Sequence, residues 1–215
     1  MYTLYGMTGS CSMAVHAVLQ ELKQPVNVID VRVPDGQPRP AEFLKINPRG
    51  NVPVLVDGDV VMREGGAIIT YLLDKHASPM LPKSGAGRAL ALEWLMFANA
   101  TMHPAYSRVF FIQRSITEPK GREEALKAAF ESINKLWAEV DAELGKTAYI
   151  CGDHVSAADI LLSVIANWGQ NDSHGDIAKN VQFGANVKRM LKNVSACPSF
   201  QKALAEEKVT YRAAA

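Results

Sequence analysis

The chain changes character near residue 79, and that change narrows the folds open to it more than any other feature. Before it, strand-type and helix-type patterns alternate; after it, only helical periodicity is found. YTLYG at the N-terminus is a short β-rich run, and residues 11–22 place Val15, Val18, Leu19 and Leu22 on one helical face. VNVIDVRV alternates and is β-branched, and it is followed by a proline- and glycine-rich loop (PDGQPRP), a short AEFLKI segment and Asn47-Pro48-Arg49-Gly50 as turn punctuation. Residues 52–56 and 60–62 flank Asp57-Gly58-Asp59, a hairpin signal, and 67–73 reads as a helix. The order is βαβ, then ββα. A linker, SPMLPKSGAG, precedes helical stretches at 88–115, 123–144, 156–168 and 181–191. The pattern predicts an α/β domain at 1–78, a linker at 79–87 and an all-α domain at 88–215.

A chain of 215 residues with 48% hydrophobic and 21% charged content can bury cores of that size. Its formal charge is only +1 and is spread evenly, so it carries no basic face for nucleic acid or for an anionic membrane. MYTLYGM lacks a basic stretch followed by an apolar core, and no run of about 18 apolar residues occurs, which predicts a cytoplasmic protein. Three scattered cysteines, Cys11, Cys151 and Cys197, are too few for a disulfide framework and are read as free thiols.

Two local motifs can be read from their chemistry. Ser156-Ala157-Ala158-Asp159 has the spacing of a capping box, in which each side chain satisfies an N–H left open at a helix start. Its role is folding. Cys11 stands where a strand turns into a helix, between Ser10 and Ser12. Unpaired N–H groups and the helix dipole favour a thiolate there, predicting a pKa below the ordinary value of about 8.5. Ala14 occupies the place of the second cysteine of a thioredoxin-type redox pair, so Cys11 has no internal partner at this turn. Other motifs end quickly. Gly145-Lys146-Thr147 lacks the earlier glycine of a phosphate-binding loop, since Val140 stands there, and neither HExxH nor a zinc-type cysteine pair occurs, so no metal site is expected. The glycosylation-type tripeptides at Asn99, Asn171 and Asn193 are chance matches in a chain that is not secreted.

Four segments, in this order, resemble those of the cytosolic glutathione transferases, and most closely the bacterial beta class: GSCSMA, INPRGNVPVL, MREGGAIITYLL and GDHVSAADILL. The resemblance covers nearly the whole chain. It implies a thioredoxin-like domain followed by a helical bundle, with glutathione as co-substrate and no metal. It further implies a cis peptide before Pro53, with Val52 pairing with the cysteinyl part of glutathione. Glu64 would meet the γ-glutamyl ammonium, and the N–H groups of Gly65 and Gly66 its carboxylate. Near the sulfur it implies Cys11, Ser12 and His103, with Ser10 contributing to binding, and it puts Trp168 in the pocket for a small hydrophobic electrophile. A homodimer is the implied assembly. The chain departs from the family at three places. Pro34 and Asp35 stand where a basic residue meets the glycyl carboxylate, leaving Arg32 or Arg39 for that task. Gly65 replaces a frequent serine, and Met96 replaces an asparagine supplied by the partner subunit. The expected activity is conjugation of the glutathione thiolate to electrophiles. Its alternatives are disulfide reduction through a Cys11–glutathione mixed disulfide, a zeta-like isomerase, and a non-catalytic binding protein. Tyr5 is assigned to packing.

Overall fold

A computed structural model describes residues 1–34, 36–168, 170 and 175–214. Asp35 and the tripeptide beginning at Asn171, both singled out above, lie outside the described residues.

The first part is a four-stranded sheet with helices on both faces. Strands β1 (Tyr2–Gly6), β2 (Val26–Asp30), β3 (Val54–Asp57) and β4 (Val60–Arg63) are ordered β2-β1-β3-β4. The β1–β2 pair is parallel, as the intervening α1 (Ser12–Glu21) requires, and β1–β3 and β3–β4 are antiparallel. The sheet separates two apolar clusters because side chains alternate along its strands. Tyr2 and Leu4 join the main core with α1 and α3 (Gly65–Lys75). Tyr5 packs on the other side against Phe43 of α2 (Ala41–Ile46), ring centroids 5.5 Å apart, beside Val31 and Val54. Tyr5 is therefore a packing residue, as expected.

The rest is helical: α4 (Gly85–Met96), a π-helical turn (Phe97–Met102), α5 (His103–Ser115), α6 (Pro119–Leu144), α7 (Ala157–Ala166), α8 (Gly175–Asn180), α9 (Ala185–Ser195) and α10 (Pro198–Glu206). The stretch expected as one helix at 88–115 is divided, because Pro104 has no N–H to give and the preceding turn widens. Helix α6 begins four residues earlier than periodicity suggested, with the Glu118 carboxylate accepting the N–H groups of Lys120 and Gly121. Helices α8 and α10 were missed: they are short, and their faces are defined only by what they pack against. The main core runs without a break from Leu4 and Leu55 of the sheet through Met13 and Leu72 to Trp94, Tyr106, Trp137 and Leu161. No helix of the described residues is long and apolar enough to cross a membrane.

The capping box forms as read. Ser156 Oγ accepts the Asp159 N–H, and the Asp159 carboxylate accepts the Ser156 N–H at 2.8 Å. Asp159 also accepts the Ile150 N–H at 2.9 Å, tying the preceding loop to the helix start.

Candidate active site

The turn between β1 and α1 has its backbone polar groups bound one after another. Ser12 Oγ accepts the Met7 N–H at 3.1 Å and lies 3.3 Å from the Met7 carbonyl, with Ser10 Oγ 2.9 Å away. Thr8 gives its N–H and hydroxyl to Asp30, and its carbonyl accepts Arg32 Nη2. Gly9, at φ +71°, gives its N–H to Glu207 Oε2 at 2.9 Å and accepts the Trp168 indole N–H at 2.9 Å. A turn so completely paired is held in one geometry before any ligand arrives. Ser12 is 2% exposed, and its hydroxyl serves this turn rather than facing the cleft.

Cys11 is the first residue of that helix start, with φ −57° and ψ −21°. Its S–H donates to the Val52 carbonyl at 3.6 Å. Burial pushes the thiol up to about 11, only partly opposed by the N–H groups of Cys11 and Ser12 and the Ser10 hydroxyl, and the negative charge of Glu64 raises it further. The expectation of an acidic thiol is therefore reversed. A helix start stabilises an anion by about 1 kcal/mol, and here the loss of water around the sulfur outweighs it. With its pKa raised, Cys11 at neutral pH is mainly the thiol, and it acts as a hydrogen-bond donor to Val52.

Across from it, the Val52–Pro53 peptide is cis, as the resemblance implied. Glu64 precedes α3 at φ 71° and ψ 111° and makes no side-chain cap, so its carboxylate leaves the N–H groups of the first turn, beginning with Gly65 and Gly66, uncapped. That carboxylate is exposed and accepts Arg49 Nη1 at 3.0 Å. The helical part covers the two glycines: a Cβ on Gly66 would stand 2.7 Å from Met96 Cε, and one on Gly65 would stand 3.4 Å from Asn99 Oδ1. Asn99 was missed as a site residue, because one turn of helix separates it from Met96 and only the packing shows that its amide faces this corner. An asparagine is thus present here, from the same chain.

His103 opens α5, and its ring meets Trp168 edge-on at 4.9 Å and 72°. Burial lowers its pKa, leaving a neutral imidazole at pH 7. Trp168 also packs against Tyr106 and Phe110, at 6.1 and 6.3 Å, besides its bond to Gly9. His103, Trp168 and the turn bearing Cys11 are thus contiguous, though among the described residues no hydrogen bond joins His103 to Cys11. Of the two arginines left for a carboxylate, Arg32 is spent on Thr8, while Arg39 donates to the carbonyls of Gly50 and Val31, beside the Pro53 loop.

Residues 4–80 match the family model described as the glutathione S-transferase N-terminal domain, and residues 97–173 match the one for the C-terminal domain. The chain belongs to the glutathione S-transferase family. It is 33% identical to the glutathione S-transferase GstB of Escherichia coli K12 over 168 residues, covering 76% of this chain and 80% of that one. It is 28% identical to the glutathione S-transferase GST-4.5 of Xanthomonas campestris over 202 residues, covering 92% and 97%. Among solved structures, a glutathione S-transferase from Xylella fastidiosa superposes with a TM-score of 0.85 at 25% identity, covering 98% and 100%. A sphingomonad glutathione S-transferase complexed with glutathione superposes with a TM-score of 0.80 at 28% identity, covering 97% and 100%.

Proposed function

We propose that this transferase binds glutathione between the start of α1 and the Pro53 loop and passes its sulfur to a small hydrophobic electrophile, in the manner of the beta class. The observation that carries the reading is the 3.6 Å approach of Cys11 Sγ to the Val52 carbonyl, which makes the helix start and the Pro53 loop two walls of one cleft. The sphingomonad relative, bound to glutathione in the same fold, supports it. The cysteinyl N–H of glutathione takes the Val52 carbonyl, and Cys11 S–H turns from that carbonyl to the glutathione sulfur. A neutral thiol donor at the positive end of α1 stabilises the sulfur anion once its proton has gone. His103, neutral at pH 7, takes up that proton. Glu64 binds the γ-glutamyl ammonium, the first N–H groups of α3 its carboxylate, and Arg32 or Arg39, each now donating to backbone carbonyls, turns to the glycyl end. The anion then attacks the electrophilic carbon of a substrate held near Trp168, forming a carbon–sulfur bond as the leaving group, halide for an aryl halide, departs with the bonding pair. Residues 1–78 form the glutathione-binding unit and 88–215 supply the electrophile side.

The raised Cys11 pKa disfavours the mixed-disulfide alternative, which needs a Cys11 thiolate. Calorimetric titration with glutathione, followed by conjugation assays with an aryl halide on wild type and Cys11→Ala, tests the proposal. Binding, with turnover reduced but not abolished in Cys11→Ala, is expected. Absence of binding by the wild type refutes it.

A further inference from the structure

Between β1 and α1 the chain is held from two sides. Met7 and Thr8 are bound by Ser12, Asp30 and Arg32 of the sheet-bearing part. Gly9 is bound on both faces by the helical part, its N–H by Glu207 and its carbonyl by Trp168. The Glu207 side chain is only 6% exposed, and its second oxygen lies 2.9 Å from Nδ1 of His16, a fully buried imidazole on α1. The other ring nitrogen of His16 faces Glu206 Oε2 at 2.8 Å. Glu207 therefore joins the turn before Cys11 to the helix after it. Gly9 takes a left-handed conformation that only glycine adopts freely, so it is where this turn swivels most easily, two residues from the sulfur.

We infer that Glu207 is a positioning residue for transfer: by grasping the Gly9 N–H against His16, with Trp168 on the opposite face, it sets where the Cys11 thiol and the positive end of α1 meet the glutathione sulfur. The inference rests on the reading of glutathione at this helix start. Interactions that stabilise a developing anion depend steeply on placement, whereas the contacts that hold the rest of glutathione at Val52, Glu64 and Gly66 do not pass through Gly9. Loosening the clamp thus lowers kcat and spares the glutathione KM.

Steady-state kinetics with an aryl halide on five proteins tests this. Glu207→Leu should lower kcat about ten-fold with the glutathione KM within about two-fold, and Trp168→Phe, which keeps a ring but loses the indole N–H, should show the same split. Glu207→Gln keeps an amide oxygen for the Gly9 N–H and should recover most of the rate. Glu206→Gln removes a charge from the same imidazole without touching Gly9 and should match wild type. If circular dichroism shows Glu207→Leu unfolded, Glu207→Ala is measured in its place and decides by the same kinetic split. Wild-type kcat in a folded clamp variant, a KM rise equal to the kcat loss, or an equal loss in Glu206→Gln overturns the inference. If the wild type neither binds nor turns over glutathione, the functional reading fails instead. The clamp is then judged by the rate of Cys11 alkylation, which should shift at least about three-fold in Glu207→Leu and not in Glu206→Gln; an unshifted rate overturns it.

Discussion

Cys11 Sγ lies 3.6 Å from the carbonyl oxygen of Val52, a residue 41 positions further along the chain, and it is the thiol that donates. The contact turns a cysteine at a helix start, a placement usually tied to acidity, into a half-buried donor.

Its titration should show this directly. With the Cys11 pKa raised to about 11, the alkylation rate at this sulfur, read by mass spectrometry, should climb about ten-fold per pH unit from 7 to 10 and level off only above that. A plateau near 8.5, the value of an unfolded cysteine, would show that burial does not control it. Oxidised glutathione at pH 7 should likewise modify Cys11 more slowly than it modifies the same cysteine in the unfolded chain.

Glu64 and Arg49 are both largely exposed, so their ion pair contributes under about 1 kcal/mol to folding. Arg49→Ala should leave the thermal midpoint nearly unchanged. Glu64→Gln should do so too, yet weaken glutathione at least about ten-fold by calorimetry, because the ammonium then loses its carboxylate partner in the proposed site. Unchanged affinity would remove Glu64 from that role.

The capping box allows a graded test. Ser156→Ala should cost about 1 kcal/mol in denaturant unfolding. Asp159→Ala should cost roughly 3 kcal/mol, since it strands the Ser156 and Ile150 N–H groups in a fully buried place. Equal losses would mean that the bond to Ile150 contributes nothing.

Val60 and Val61 are exposed on the edge strand β4, and Leu90 and Met96 are exposed on α4. We propose that the homodimer implied by the resemblance forms and covers these apolar groups with a second copy. Light scattering at micromolar concentration should give about twice the chain mass, and Val61→Lys should shift it toward the monomer. A monomeric wild type would refute this.

Secondary structure at the centre of this chain was legible because alternation in β1 and the hairpin, the capping box at Ser156 and the turn chemistry around Gly58 are local, and neighbours in sequence are enough to express them. The order of the elements sufficed for the fold class, and four short segments pointed to Cys11, Val52, Pro53 and Glu64. What escaped that reading depends on residues far apart. The pKa of Cys11 follows mainly from burial in the folded chain, which no local dipole argument contains. Asn99 became visible only when the π-helical turn after α4 packed over Gly65 and Gly66, and Trp168, read as lining a pocket, spends its indole N–H on Gly9, 159 positions away. Local sequence determined the elements and the cast of residues, since backbone preference and periodicity act over a few positions. Tertiary structure decided their protonation and their partners, since desolvation and hydrogen bonding are set by whatever the folded chain brings within a few ångströms.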